Sequence, residues 1–353
     1  MKKEIKRYSI CLIVNVLFGI CVISGIIWYL NNKNKEPQSR SLLYSTDISA
    51  TGDFDDYFDL VVLYKLNSNR GITVIVDGND YDLKQTGVEA IQNLAKVMDK
   101  DSIADSVIIG RDENLYDLDD SYCNLQLVDF LRQTKDKIDI VTVGSLRDIA
   151  ALYNHAPDTF ENKVENIYIF AGDAEGTYPE YNVELDETAF LCIMNSGLNI
   201  YWIPCFQNGL FTAGEDASYM QILHKEIFSE TDDMKLLNWF LYRFEMGGTD
   251  FETYINTKHN MAAFMNDTRN IWCAPLFPLL NGNMDIYLQK YNETYHENIE
   301  CPFGFSEQKV TFLENGVVRY GEGNTIHVFE IYDYEEYLNL SKFILRTVMG
   351  QGI

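Results

Sequence analysis

Positive charge is scarce in this chain. It holds 28 Lys and Arg against 53 Asp and Glu, a formal charge of -25. Seven of the cations and only two of the acids fall in residues 1–40. The rest therefore carries 21 cations and 51 acids, a net of -30. Such a surface repels phosphate backbones and disfavours nucleic acid as a partner, while it suits cations and small neutral ligands. Paired cysteines are also missing. Cys123, Cys192, Cys205, Cys273 and Cys301 make an odd set with no CxxC, which argues against a zinc ribbon and a disulfide scaffold. One or two disulfides stay open, unassigned by the sequence. The five histidines, His155, His224, His259, His296 and His327, show no HExxH or paired spacing. No GxSxG, GxGxxG or P-loop appears, so a serine triad and a phosphate cradle lack support. There is no internal repeat and no low-complexity tract.

What is present is enough apolar material for a large core: 46% hydrophobic and 13% aromatic residues in 353. The N-terminus stands apart. "MKKEIKRY" is cationic, and Ser9 to Leu30 then runs without a charge. At 1.5 Å per residue that run can cross a hydrocarbon core of ~30 Å. No small-residue cleavage site follows Leu30, so the reading is an uncleaved anchor rather than a removed signal. The division is a cytoplasmic start over 1–8, a transmembrane signal-anchor over 9–30, a polar stalk over 31–40 and a domain over 41–353. Lys2, Lys3, Lys6 and Arg7 before the span, against Lys33, Lys35 and Arg40 after it, place the bulk of the chain outside the cytoplasm.

Beyond the stalk, two textures alternate. "SLLYST", "GITVIVD", "SVIIG", "IDIVTVG", "NIYIFAG" and "NIYWIPC" read as strands. "DDYFDLVVLYKLN", "GVEAIQNLAKVMD", "NLQLVDFLRQTKD", "LRDIAALYNHA" and "ETAFLCIMNSG" read as helices between them. That alternation predicts βαβ units around a mostly parallel sheet flanked by helices, an α/β fold. From about Asp216 to Gly282 the texture predicts aromatic-rich helices. The tail predicts a strand, an "ENG" turn, two more strands and a final helix.

The chemistry concentrates at "LLYSTDISATGDFDDYFDLVVLY". Asp47 ends the first strand, and Asp55 and Asp56 open the first helix. Ligands of open α/β sheets sit outside the carboxyl ends of the strands. Converging carboxylates there are hard oxygen ligands for Ca²⁺ or Mg²⁺, and one could act as a general base. The same acids also suit a helix N-terminus through capping and the dipole.

This stretch resembles the N-terminal motif of the inosine–uridine-preferring nucleoside hydrolases, where an Asp-x-Asp closes the first strand and an Asp-Asp opens the first helix. Four further segments follow in the order of that family: "GITVIVDGN", "IVTVGSLRDIAAL", "IYIFAGDA" and "PEYNVELDETAF". The resemblance spans roughly Ser41 to Gly350. It implies hydrolysis of an N-glycosidic bond, with Ca²⁺ held by Asp47, Asp56 and the carbonyl of Val143, and with Asp55 as base toward water. It implies ribose contacts from Asn79, Glu180 and Asn182. Two departures stand out: Ser45 replaces the first Asp of Asp-x-Asp, and "RNIWCAPLFPLL" puts Trp272 and Cys273 where the family has His-Asp. Trp272 would stack on a base or sugar, or fill the core. A thiol is a poor calcium ligand, and Asp267, Asp77 and Asp80 are the candidates to compensate. The expectation is therefore a membrane-anchored hydrolase of nucleosides or related N-ribosides in purine or pyrimidine salvage. The alternative is a catalytically impaired member that binds a nucleoside or sugar, or serves as an interaction module. A homo-oligomer is compatible with either.

Overall fold

The computed structural model describes residues 40–49, 54–67, 70–78, 80–245 and 250–350. The segments read as cytoplasmic start, membrane anchor and stalk lie outside these, save Arg40, as does Asn79. Among the described residues no helix is long and apolar enough to cross a membrane.

A nine-stranded sheet runs in the order β10-β9-β11-β6-β5-β4-β1-β2-β3. Its strands are β1 Leu42–Thr46, β2 Ile72–Val76, β3 Val107–Ile109, β4 Ile138–Thr142, β5 Val164–Phe170, β6 Ile200–Ile203, β9 Phe303–Phe312, β10 Val318–Tyr320 and β11 Asn324–Ile331. From β3 across to β11 the pairs are parallel; only β11–β9 and β9–β10 are antiparallel. All six predicted strands form, and the tail adds three, as its "ENG" turn predicts. Asn315 takes φ 61° there, a conformation Asn tolerates better than most residues.

Successive strand residues point to opposite faces, and both faces are buried. Leu42, Tyr44, Val74 and Val76 join one core; Leu43, Ile75, Ile138 and Ile140 join the other. Each such side chain contributes roughly 1.5–3 kcal/mol through its burial. Two covered faces are what a parallel sheet needs, which is why β1 reads as a continuous apolar run rather than an alternation.

The helices between the strands start where side-chain caps allow. Asp80 accepts from the amides of Asp82 and Leu83, so the Tyr81–Val97 helix begins six residues before the predicted Gly87. Gly87 itself lies against the loop after β1: a Cβ there would meet the Ile48 carbonyl oxygen at 2.2 Å.

The segment from 216 to 282 departs from expectation. Helices are present, including His224–Phe228 and Met234–Phe244. They are accompanied by an antiparallel pair, β7 Met220–Leu223 with β8 Thr268–Ile271. The partners of this pair lie far apart in the chain, and local spacing cannot report such a pairing. Among the described residues the five cysteines, Cys123, Cys192, Cys205, Cys273 and Cys301, are free thiols; Cys11 and Cys21 lie outside them.

Candidate functional site

Strand order reverses at β1. Chain order proceeds outward from β1 to β2 and β3 on one side, and to β4, β5 and β6 on the other. The crevice beyond the carboxyl ends of β1 and β4 is thus the topological switch point, where α/β sheets bind ligands. A cavity of about 530 Å³ opens there.

The residue that closes β1 organises its mouth. Thr46 is fully buried and its hydroxyl donates to Asp56 Oδ1 at 2.9 Å. This bond ties the strand end to the first turn of the Asp55–Leu66 helix. That helix has no side-chain cap at Phe54, so Asp55 and Asp56 stand where the helix dipole favours negative charge. Ser45 is fully buried within β1, paired beside Ile75 and Thr142. Asp47, one step beyond Thr46, lines the cavity with Asp55 and Asp56.

Close approach of the β1 and β4 loops requires a glycine. A Cβ on Gly144 would lie 2.9 Å from the Asp47 amide nitrogen and 3.1 Å from its Oδ1. Beside it, the Val143 carbonyl accepts from Asn182 Nδ2 at 3.1 Å, and the same amide reaches the Phe170 carbonyl at 3.3 Å. Asn182 therefore clasps the ends of β4 and β5. Glu180 precedes it and accepts from the amides of Gly172 at 2.9 Å and Asn182 at 3.1 Å. Burial pushes its carboxyl up to about 7, against the pull of those amides.

Trp272 and Cys273 follow β8 and also line the cavity. The turn they occupy is held by Asp59, whose Oδ1 accepts from the Ala274 amide at 2.8 Å. Burial, then the charge of Asp59, pushes the Cys273 thiol well up, so it stays protonated. Trp272 is nearly buried, with centroids 5.6 Å from both Phe206 and Tyr219. Its Nε1 has no hydrogen-bond partner among the described residues.

Eight expected site residues thus come to one cavity: Asp47, Asp55, Asp56, Val143, Glu180, Asn182, Trp272 and Cys273. Asn79 lies outside the described residues; its neighbours Asp77 and Gly78 are in the lining. Of the carboxylates considered as replacements for Cys273, Asp77 is in the lining but is held by the Ser145 amide at 2.9 Å and by Arg147 at 3.5 Å. Asp80 caps its helix, and Asp267 pairs with Arg269. Neither is among the cavity-lining residues. A carboxylate beside Cys273 is Asp59, which the sequence did not single out. Cys205, Phe206, Leu210 and Phe211 were missed as well. The position of Cys205 just past β6 was the available signal.

By donor chemistry the site suits a hard divalent cation: Asp47, Asp55 and Asp56 line one cavity, with Val143 beside them. The fit is incomplete. Cys273 offers a protonated thiol, and among the described residues no three His, Cys, Asp or Glu side chains stand grouped to hold a metal.

No known family profile and no curated protein matches the sequence. Solved structures do match the fold. A plant nucleoside hydrolase, PpNRh1, superposes with a TM-score of 0.52 at 15% identity, over 87% of this chain and 99% of that one. The effector protein XOO4466 gives 0.54 at 14%, over 89% and 95%. The type III effector XopQ, solved with adenosine diphosphate ribose, gives 0.53 at 13%, over 89% and 96%. At these identities the likeness is one of fold: the domain has a nucleoside-hydrolase-like architecture.

Proposed function

We propose that this chain hydrolyses the N-glycosidic bond of a ribonucleoside or related N-riboside. The observation that carries the reading is the convergence of Asp47, Asp55, Asp56, Val143, Glu180, Asn182 and Trp272 on one switch-point cavity, from four separate connections. In this reading Asp55 accepts a proton from water as its oxygen bonds to C1′, and the bond from C1′ to the base breaks. Glu180 and Asn182 hold sugar hydroxyls, as does Asn79, and Trp272 packs on the base. Asp47, Asp56 and the Val143 carbonyl would hold a Ca²⁺, which when bound lowers the pKa of a coordinated water. The fold likeness to a nucleoside hydrolase supports the reading at the level of architecture only. The segment 9–30 would anchor the chain with the domain outside the cytoplasm, where nucleosides are met before uptake.

A second reading rests on the Cys273 thiol in place of a carboxylate: binding of a riboside without turnover. Full-length protein given a nucleoside panel with Ca²⁺ separates the two. Release of reducing sugar supports hydrolysis. Binding by calorimetry without any sugar release assigns the chain to the second reading.

A further inference from the structure

The charge and ring chemistry of the cavity go further than a generic riboside. Five acidic side chains line it: Asp47, Asp55, Asp56, Asp77 and Glu180. Among the described residues the one lining cation is Lys84, and its ammonium is already committed. It donates to the Gly110 carbonyl at 2.9 Å, the Arg111 carbonyl at 2.8 Å and Asp112 Oδ1 at 2.6 Å. No lining residue offers an arginine fork or a spare ammonium to a phosphate.

Part of the lining is aromatic. Phe206, Phe211 and Trp272 line the cavity, with Tyr219 behind them. Phe211 lies 5.5 Å from Phe206 and 6.4 Å from Trp272 by centroid. It is half exposed, on a loop where Asn208, Gly209 and Phe211 all take positive φ. A backbone held in that region presents Phe211 at the cavity mouth. Aromatic faces attract cations.

A histidine to protonate a leaving group is lacking too. No histidine is in the lining. His224 is buried elsewhere, its Nδ1 bonded to the Phe264 carbonyl at 2.8 Å. Glu180 is occupied as an acceptor of backbone amides. The Cys205 and Cys273 thiols are buried, and that burial makes them weaker acids. A neutral base leaves as an anion unless its nitrogen is protonated, whereas a positively charged base leaves neutral.

We infer that the cavity selects a riboside whose base carries a fixed positive charge and whose ribose carries no phosphate, as in a pyridinium or N7-alkylated purine riboside; this rests on the hydrolase reading above. The step balances without an acid. The C1′–N pair goes to the ring nitrogen and cancels its charge, water oxygen bonds to C1′, and Asp55 takes the water proton.

Guanosine, 7-methylguanosine and 7-methylguanosine 5′-monophosphate test this on the full-length protein, with Ca²⁺ and with chelator. Rates are divided by each compound's spontaneous hydrolysis. Binding is measured in parallel on Asp55→Asn. The expected result is a preference of about tenfold or more for 7-methylguanosine over guanosine, and about tenfold weaker binding of the phosphate. Phe211→Leu, a change at a half-exposed position of that aromatic lining, should narrow the methylated-to-plain ratio. Guanosine turned over as well as its methylated form, or the phosphate bound as tightly as the riboside, overturns the inference and leaves the hydrolase reading standing. Failure of every riboside to bind overturns both.

Discussion

Single residues carry the chemistry of this site, and two of them decide what it is. Asp55 stands at the first turn of its helix and lines the cavity. If it accepts the water proton, Asp55→Asn should lower kcat by about 100- to 10,000-fold and leave riboside binding within a few fold. Steady-state kinetics beside calorimetry measure both, and an unchanged kcat would refute the assignment. Cys273 decides the metal. Its buried, protonated thiol occupies the turn fixed by Asp59. Cys273→Asp adds a hard oxygen donor to the proposed pair Asp47 and Asp56, so Ca²⁺ affinity should rise about tenfold or more. Titration calorimetry reads this directly; no gain would mean that Asp47 and Asp56 do not share a cation beside Cys273.

At the scale of elements, the loops after β1 and β4 set the geometry. Gly144 lets them touch, and an added methyl has no room beside Asp47. Gly144→Ala should displace Asp47 and cost about 10- to 100-fold in kcat/KM, since small misplacements are amplified in catalysis. Far-ultraviolet circular dichroism should show the fold retained. The Arg147–His155 helix carries a second device next door. Burial, then the nearby charge of Asp77, pushes Asp148 up to about 7. The folded state therefore prefers the protonated carboxyl. Its stabilising contribution is present at low pH, below the ordinary carboxylate value of 3.8, and is lost as pH rises through about 7. The melting temperature of the wild type minus that of Asp148→Asn should fall over that window and flatten above it. A difference independent of pH would show that Asp148 does not titrate there.

At the scale of the whole molecule, the proposed ligands would all enter at one end of the sheet. A cation that occupies only the folded protein stabilises it by about 2.7 kcal/mol at a concentration 100 times its Kd. Calcium should therefore raise the melting temperature by several degrees and a chelator should reverse the rise; a flat response would remove calcium from the proposal. Much of this architecture was legible beforehand. The parallel strands announce themselves because burial on both faces demands uninterrupted β-branched and apolar runs such as Ile72–Val76. The β7–β8 pair was not legible, because its four-residue segments carry no periodicity long enough to separate strand from helix and their pairing is non-local.

The sequence by itself determined the alternation of strands and helices, the acidic triplet Asp47, Asp55 and Asp56, and the anomaly at Cys273. These are local facts of composition and order. Only the tertiary structure decided that Asp59 supports the Cys273 turn, that Asn182 clasps the ends of β4 and β5, and that Phe206, Phe211 and Trp272 form one wall. Each of these joins residues from different segments of the chain, and such contacts exist only once the sheet brings its strand ends to the same edge.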